Sequence, residues 1–172
     1  MTGGLLFERL DRWARRGAPF VTTVLLVAIG AIQMPLPDYR IIAPLLPLMA
    51  VFYWALFRPD LMPAGAVFVI GALEDVFTGA PLGVNALLFL LVHGLVRWQR
   101  RLLAGRGFPH VWAALAVVML VAGAVAFLAA ALLSGAALRP EPAFAQILLS
   151  LALFPCLAWV LVRVQRAFLA RA

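Results

Sequence analysis

Uninterrupted apolar segments recur along the 172-residue chain, and they constrain its fold more than any other feature. The hydrocarbon core of a bilayer is about 30 Å thick and takes roughly 20 helical residues to cross. The composition fits this use, because 66% of the residues are hydrophobic and 12% are charged, whereas a soluble domain is typically about half apolar and a quarter charged. The apolar runs are continuous and do not alternate in polarity, which favours helices over a β-barrel. The sequence therefore predicts an all-α integral membrane protein.

Proline, glycine and charged turn signals divide the apolar sequence into six predicted spans within a single domain, 1–172. The expected spans are 18–36, 41–57, 61–78, 81–96, 109–133 and 143–162. Pro44 and Pro47 fall inside the second span, so we expect that helix to be bent or to start late. The residues 163–172 form a basic tail after the last span.

Residues 1–16 carry arginines and apolar residues at helical spacing, which is typical of an amphipathic helix on the membrane surface. A frayed basic tail explains the same residues equally well. A basic start before an apolar run also describes a signal peptide. Because further spans follow at once, we expect the first span to be an uncleaved anchor.

The arginines predict the orientation of the spans. All fourteen basic residues are arginines, and the formal net charge is +7. With the N-terminus in the cytoplasm, twelve of them lie in cytoplasmic segments and only Arg40 and Arg139 lie outside. This asymmetry satisfies the positive-inside rule, so we expect both termini in the cytoplasm. This placement accounts for the positive net charge, because the arginines lie in loops that face the lipid bilayer. We therefore expect no binding to nucleic acid.

The stretch 71–86 holds the only adjacent pair of acidic residues in the chain, Glu74 and Asp75. The apolar segments on either side, 61–73 and 84–96, have 13 residues each and are too short to cross a bilayer alone. The two helices must therefore extend into this stretch, which brings the carboxylates toward the membrane. Polar groups at that depth are expensive and usually have a purpose.

The turn residues of this stretch suggest a tight hairpin. Gly79 is placed to end the third span in the left-handed conformation, and Pro81 suits the first turn of the fourth. We interpret Gly79 and Gly83 as turn residues. Two interpretations of the acidic pair stay open. It marks a solvated outer turn, or Asp75 makes a structural hydrogen bond to the fourth span or to a partner, with Asn85 as a candidate donor.

Residues for catalysis are sparse. A nucleophilic site needs a serine or cysteine within hydrogen-bond reach of a base. Ser134, Ser150 and His93 lie in or near predicted spans, and His93 could pair with Asp75 or a serine, but no nucleophile motif surrounds them. We expect His93 to be a packed or interfacial residue and Cys156 to be inert packing. One cysteine and two histidines exclude a disulfide framework and a Cys/His zinc site made by this chain alone. We expect no catalytic residue, no cofactor and no metal site.

Motif residues at ordered spacing run through most of the chain. They are Pro35-Leu36-Pro37-Asp38, Tyr53-Trp54, Pro59, Gly71, Asp75, Gly79, Leu82-Gly83, Ala86-Leu87, Arg139-Pro140-Glu141 and Pro155. With these residues the chain resembles the MreD family of bacterial rod shape-determining membrane proteins over nearly its whole length. The most specific part is the central pattern of Gly71, Asp75, Gly79 and Gly83 with the Tyr-Trp pair upstream.

The resemblance implies a non-enzymatic subunit of the cell-wall elongation machinery in the bacterial inner membrane. Its partners would be MreC, the glycosyltransferase RodA, a penicillin-binding transpeptidase, and MreB at the cytoplasmic face. It also implies the six-helix fold of the substrate-binding subunits of energy-coupling vitamin transporters. Glu74 departs from the pattern, because we expect an apolar residue there.

The candidate structural or partner-binding residues combine the hairpin with the resemblance. They are Tyr53, Trp54, Pro59, Gly71, Glu74, Asp75, Gly79, Pro81, Gly83 and Asn85. The predicted fifth span adds a small-residue stripe, Ala122, Ala126 and Ala130, for close helix packing.

The leading hypothesis is therefore a membrane scaffold for cell-wall elongation. The alternative is a solute-binding subunit of a small-molecule transporter, which would need polar groups that converge on a pocket. Sparse candidates for such groups are Gln33, Glu74, Asp75, Asn85 and Gln146. A third hypothesis, lipid flipping or intramembrane enzymology, has no motif to support it.

Overall fold

The structure is a computed structural model that describes residues 3–31, 43–103, 105–134 and 141–169. These residues form six α-helices and confirm the predicted all-α class. The helices are α1 (Gly3–Gly30), α2 (Leu46–Phe57), α3 (Ala64–Thr78), α4 (Val84–Leu103), α5 (Phe108–Ser134) and α6 (Glu141–Leu169). A 3₁₀ turn, Pro59–Leu61, follows α2.

The basic N-terminal segment and the first apolar segment form one helix. Residues 3–16 are helical, as their spacing predicts, but α1 continues without a break to Gly30 and holds Pro19 in its interior. The hydroxyl groups of Thr22 and Thr23 donate to the carbonyls of Ala18 and Pro19, each at 2.7 Å. These bonds satisfy both hydroxyls within the helix itself. The predicted end of the span near residue 36 lies outside the described residues.

The short helix α2 is the centre of the bundle. Ten consecutive residues, from Pro47 to Leu56, are buried, and α1, α4 and α6 pack around them. A helix that is apolar on all sides is buried on all sides, so the unbroken apolar sequence of this segment explains its position. The predicted late start is confirmed, since α2 begins at Leu46 with a proline in its first turn.

The extended residues before α2 obtain their hydrogen bonds from α6. The Gln146 side-chain amide donates to the Ala43 carbonyl at 2.7 Å, and the Leu45 N–H donates to Ser150 Oγ at 3.0 Å. Non-helical backbone at membrane depth must be satisfied by protein groups, because lipid offers none. Gln146 and Ser150 therefore have a structural reason to be polar.

Helix α4 differs from its prediction at both ends. It begins at Val84, because Pro81 lies in the preceding turn and not in the first helical turn. It continues to Leu103 through arginines that we expected to lie in a loop. Arginine is a good helix former, and no glycine or proline follows Arg97 in the sequence until Gly105, which has a positive φ of 91°. Arg100 Nε donates to the Leu56 carbonyl at 3.0 Å and holds this extension against the end of α2.

Two described helices are long and apolar enough to cross a membrane, by length and composition. They are Phe108–Leu132 within α5 and Glu141–Ala167 within α6. Gly17–Gly30 and Leu46–Phe57 are shorter apolar helices. The structure thus agrees with a helical membrane protein, and the number of six spans stays a prediction.

The helices run alternately between two ends of the bundle. At the basic end, Tyr53 of α2 contacts Gln165 of α6, and Arg100 of α4 contacts Leu56. Seven described arginines belong to this end by their positions in the chain: Arg58, Arg97, Arg100, Arg101, Arg106, Arg163 and Arg166. The opposite end is named the cavity end, because the six helices enclose a cavity there.

Candidate functional site

The Asp75 carboxylate caps the N-terminus of α4. Oδ2 accepts the Gly83 N–H at 2.8 Å, and Oδ1 accepts the Asn85 N–H at 2.9 Å. The side chain is fully buried. Hydrogen bonds to an ionised acceptor are stronger than neutral ones, and the positive end of the α4 dipole favours the negative charge. Asn85 is a donor to Asp75, as the sequence suggests, but it donates its backbone N–H and not its side-chain amide.

The glycine spacing explains how the carboxylate reaches the next helix. Gly71 and Asp75 are four residues apart and lie on one face of α3, and Gly79 ends the helix four residues later. A Cβ atom at Gly71 would overlap the Ala86 Cα atom, so the two helix backbones are in contact there. Only glycine permits this approach, which brings the start of α4 next to Asp75.

The turn of the hairpin uses two glycines in left-handed conformations. Gly79 has φ of 69° and Gly83 has φ of 103°, as their turn assignment predicts. Nothing lies within 4 Å of a Cβ atom built at either position, so the requirement for glycine is conformational. Pro81 accepts the Val84 N–H through its carbonyl at 3.2 Å, which closes the turn before α4.

A cavity of about 540 Å³ lies beside the hairpin. Its wall is mostly apolar and is rich in alanine and glycine. The lining residues are Gly30, Ala31, Ala43, Pro44, Leu45, Pro47, Glu74, Phe77, Thr78, Ala80, Asn85, Leu88, Ala122, Gly123, Ala126, Phe127, Ala130, Ala143, Gln146 and Ile147. The predicted small-residue stripe of α5 therefore borders the cavity. Only Ala122 of the stripe is fully buried.

Glu74 and Asn85 bring polar side chains to this wall. The Glu74 carbonyl accepts the Thr78 hydroxyl at 2.7 Å, and the Asn85 N–H donates to Asp75. In both bonds Glu74 and Asn85 contribute only their backbone groups, so their own side chains are not involved. Within the described part of the chain, the Glu74 carboxyl group and the Asn85 carboxamide make no hydrogen bond. The adjacent acidic residues thus have different surroundings.

The remaining candidate residues lie at the basic end. The Tyr53 hydroxyl donates to Gln165 Oε1 at 2.8 Å, and the Tyr53 ring meets the Trp54 ring edge to face at 5.4 Å. Trp54 and Pro59 are buried. Trp54 Nε1 has no hydrogen-bond partner among the described residues. The candidate residues therefore separate into two groups at opposite ends of the bundle.

The possible nucleophile and base do not meet. The His93 Nε2 donates to the Met62 carbonyl at 2.9 Å. The Ser150 hydroxyl donates to the Gln146 carbonyl and accepts from Leu45. His93 is thus buried, as expected, and each residue has a backbone partner. The side chain of Ser134 lies outside the described residues.

The remaining sequence expectations concern Cys156, Gln33 and the outer motif residues. Cys156 is exposed on the surface of α6, so the prediction that it is packed is wrong. Gln33 and the motif residues 35–38 and 139–140 lie outside the described residues.

Sequence reasoning missed one interhelical bond. Pro155 lies inside α6 and has no N–H, so the carbonyl of Leu151 loses its helical donor. The Trp112 Nε1–H of α5 donates to that carbonyl at 3.1 Å. A proline inside a predicted span is a signal for such a donor on a neighbouring helix.

Comparison with known protein families gives a match that covers most of the chain. A family model described as rod shape-determining protein MreD matches residues 15–164. This range contains the hairpin, the cavity wall and all the motif residues that carry the resemblance. No solved structure matches the chain, so the predicted likeness to transporter substrate-binding subunits stays a prediction.

Proposed function

Because the chain belongs to the MreD family of rod shape-determining proteins, we propose that it is a non-enzymatic scaffold of the cell-wall elongation machinery. It binds MreC in the inner membrane. Through MreC it holds RodA and a penicillin-binding transpeptidase, and it links these synthases to MreB at the cytoplasmic face. The family match over residues 15–164 is the observation that carries this proposal.

The proposed topology has six spans with both termini in the cytoplasm. The alternating helices and the collection of the seven described arginines at the basic end support it. Helices α2 and α3 have 12 and 15 residues and are short for a bilayer. The extended residues before α2, with their partners Gln146 and Ser150, lengthen the α2 span without leaving backbone groups unpaired.

The surroundings of the polar side chains favour a structural role over a catalytic one. Each carboxylate oxygen of the buried Asp75 accepts a backbone N–H group, and His93 and Ser150 are bound to backbone groups. A general base needs a free lone pair within reach of its substrate. None of these three residues is placed next to a nucleophile.

The long helices offer apolar surface for partner helices and lipid. On α5 the exposed large side chains include Val117, Leu120, Val121, Leu128 and Leu132. On α6 they include Phe144, Leu148, Trp159 and Val160. A scaffold with short outer turns contacts its membrane partners mainly through such faces.

Co-purification from native membranes in gentle detergent tests the proposal. Mass spectrometry is expected to identify a single-span protein with a periplasmic domain and a cell-wall transpeptidase. Recovery of an ATPase pair with a coupling membrane subunit would instead support the solute-binding alternative, for which the cavity is the one favourable observation. Recovery of neither set contradicts the scaffold.

A pair of aspartate variants makes the test residue-specific. At equal amounts of folded protein, Asp75→Ala is expected to recover less MreC, because it loosens the hairpin. Asp60→Ala is the matched control, since Asp60 is exposed in the 3₁₀ turn, and it should recover wild-type amounts. Equal recovery of MreC by both variants would contradict a role of Asp75 in partner binding.

Reporter fusions test the topology separately. Green fluorescent protein at the C-terminus is expected to fluoresce, and alkaline phosphatase there is expected to be inactive. A fusion of phosphatase after Ala80, at the α3–α4 turn, should be active. The reverse pattern would overturn the proposed orientation.

A further inference from the structure

Two polar side chains without described partners face the cavity. The Glu74 carboxyl group and the Asn85 carboxamide both line it, and neither makes a hydrogen bond to the described residues. Both residues are half-buried, so these groups are accessible from the cavity. A ligand that supplied donors at this position would bind groups that the described residues leave unpaired.

We propose that the cavity binds an amphipathic molecule with an ammonium head, which pairs with Glu74 and Asn85 while its apolar part lies along α5. This inference goes beyond the scaffold function and does not depend on it. It assigns a ligand to two side-chain groups that make no hydrogen bond in the hairpin.

The dimensions of the cavity fit such a ligand. Its volume of about 540 Å³ lies within the range of small-molecule sites. The room results from small residues, because α5 presents Ala122, Gly123, Ala126 and Ala130 to it. A Cβ atom at Gly123 would lie 2.9 Å from Ile147 Cδ1, so α5 and α6 are in contact at that point of the wall.

The charges of the wall select a cationic head over an anionic one. No arginine is among the described lining residues. Glu74 adds a carboxyl group at the wall, whereas Asp75, one residue along, is buried, binds two backbone N–H groups and does not line the cavity. Thr78 donates its hydroxyl to the Glu74 carbonyl, and Gln146 donates its amide to Ala43. An ammonium group satisfies the carboxyl group and the amide oxygen together, whereas a phosphate alone would be repelled.

Two sources share this chemistry. One is an aminophospholipid of the surrounding membrane, such as phosphatidylethanolamine. The other is a water-soluble amine that enters at the cavity end. The two arms of the experiment distinguish them.

In the first arm, the full chain is placed in nanodiscs of equal phosphatidylethanolamine and phosphatidylglycerol, and retained lipid is counted by native mass spectrometry. Wild type is expected to prefer phosphatidylethanolamine. Glu74→Gln is expected to reduce that preference by about tenfold, the effect of one charge-assisted hydrogen bond. Glu141→Gln is the matched control, because Glu141 is exposed and does not line the cavity.

In the second arm, discs of phosphatidylglycerol alone are titrated with octylamine, and binding is measured by calorimetry. Saturable binding that Glu74→Gln weakens by about tenfold would identify a soluble amine as a ligand. Preference for the phospholipid without octylamine binding would identify the lipid.

A volume variant tests the site without touching Glu74. Ala126→Leu fills the cavity and is expected to abolish binding in whichever arm wild type is positive. Ala124→Leu makes the same change on an exposed position of α5 and should bind as wild type does. The proposal is overturned if wild type binds neither probe, or if both cavity variants bind as their controls do.

Discussion

Each of two faces of α3 carries one acidic residue, but Asp75 on one face is bonded to the next helix and Glu74 on the other borders the cavity. On the face toward α4, Gly71 has no room for a side chain against the Ala86 backbone, and both carboxylate oxygens of Asp75 accept backbone N–H groups. The face toward the cavity, with Glu74 and Phe77, borders about 540 Å³ of open volume. The Glu74 carboxyl group there has no hydrogen bond to the described residues.

The difference shows how helical geometry separates neighbouring residues. Successive residues point roughly 100° apart around a helix, so Glu74 and Asp75 reach different partners although they are adjacent. The α4 face determines the stability of the hairpin. The cavity face carries the Glu74 carboxyl group, which makes no hydrogen bond to the described residues and is available to a ligand. The following variants test that division.

Gly71→Ala is expected to have the largest effect. The new Cβ atom would meet the Ala86 backbone, and backbone cannot move aside as a flexible side chain can. The helices must separate, which also lengthens the bonds of Asp75. We expect a loss of about 3 kcal/mol or more in the free energy of unfolding, measured by SDS titration in mixed micelles.

Gly94→Ala is the control for Gly71→Ala. Gly94 is inside α4, and nothing lies within 4 Å of a Cβ atom built there. This variant should be neutral or slightly stabilising, because alanine favours helix more than glycine. Equal stability of the two variants would show that the close approach of α3 and α4 is not required.

Asp75→Ala is expected to be the next most damaging change. It leaves the N–H groups of Gly83 and Asn85 unpaired in a buried site, and we expect a loss of about 3 kcal/mol. Asp75→Asn keeps one acceptor oxygen, so about half of that loss is expected. The same SDS titration measures both. A loss no greater than that of Asp60→Ala would contradict the capping role.

Gly79→Ala should have a smaller effect. The left-handed conformation costs a residue with a Cβ atom about 1–2 kcal/mol, and Gly79 has no steric conflict to add to it. Gly79→Asn is expected to lose less, since asparagine tolerates this conformation. The order of the two thermal midpoints in detergent checks the argument. If Gly79→Asn is the less stable variant, the cause is not the backbone conformation.

The local features of the fold were predictable from sequence because they depend on nearby residues. The prolines delayed the start of α2, and glycine at the end of α3 took the left-handed conformation. The same local reasoning failed where charge was taken as a sign of a loop. Arg97, Arg100 and Arg101 are helical, because their charge does not oppose helix formation.

The candidate site could be located but not assembled from sequence. The acidic pair was identified, yet the donors to Asp75 are backbone groups, which residue types do not reveal. The cavity arises from the arrangement of six helices, so no single segment encodes it. The bond between Tyr53 and Gln165 joins residues 112 positions apart, which is beyond any local pattern.

Glu74→Gln should have the smallest effect on stability, and it sharpens the comparison most. The change is chemically the same as Asp75→Asn, one residue along the helix. Because no described contact depends on the Glu74 carboxyl group, we expect the free energy of unfolding to change by less than about 0.5 kcal/mol. The SDS titration that measures Asp75→Asn measures this variant too. A loss as large as that of Asp75→Asn would mean that the carboxyl group supports the fold, and the division between the two faces of α3 would then be wrong.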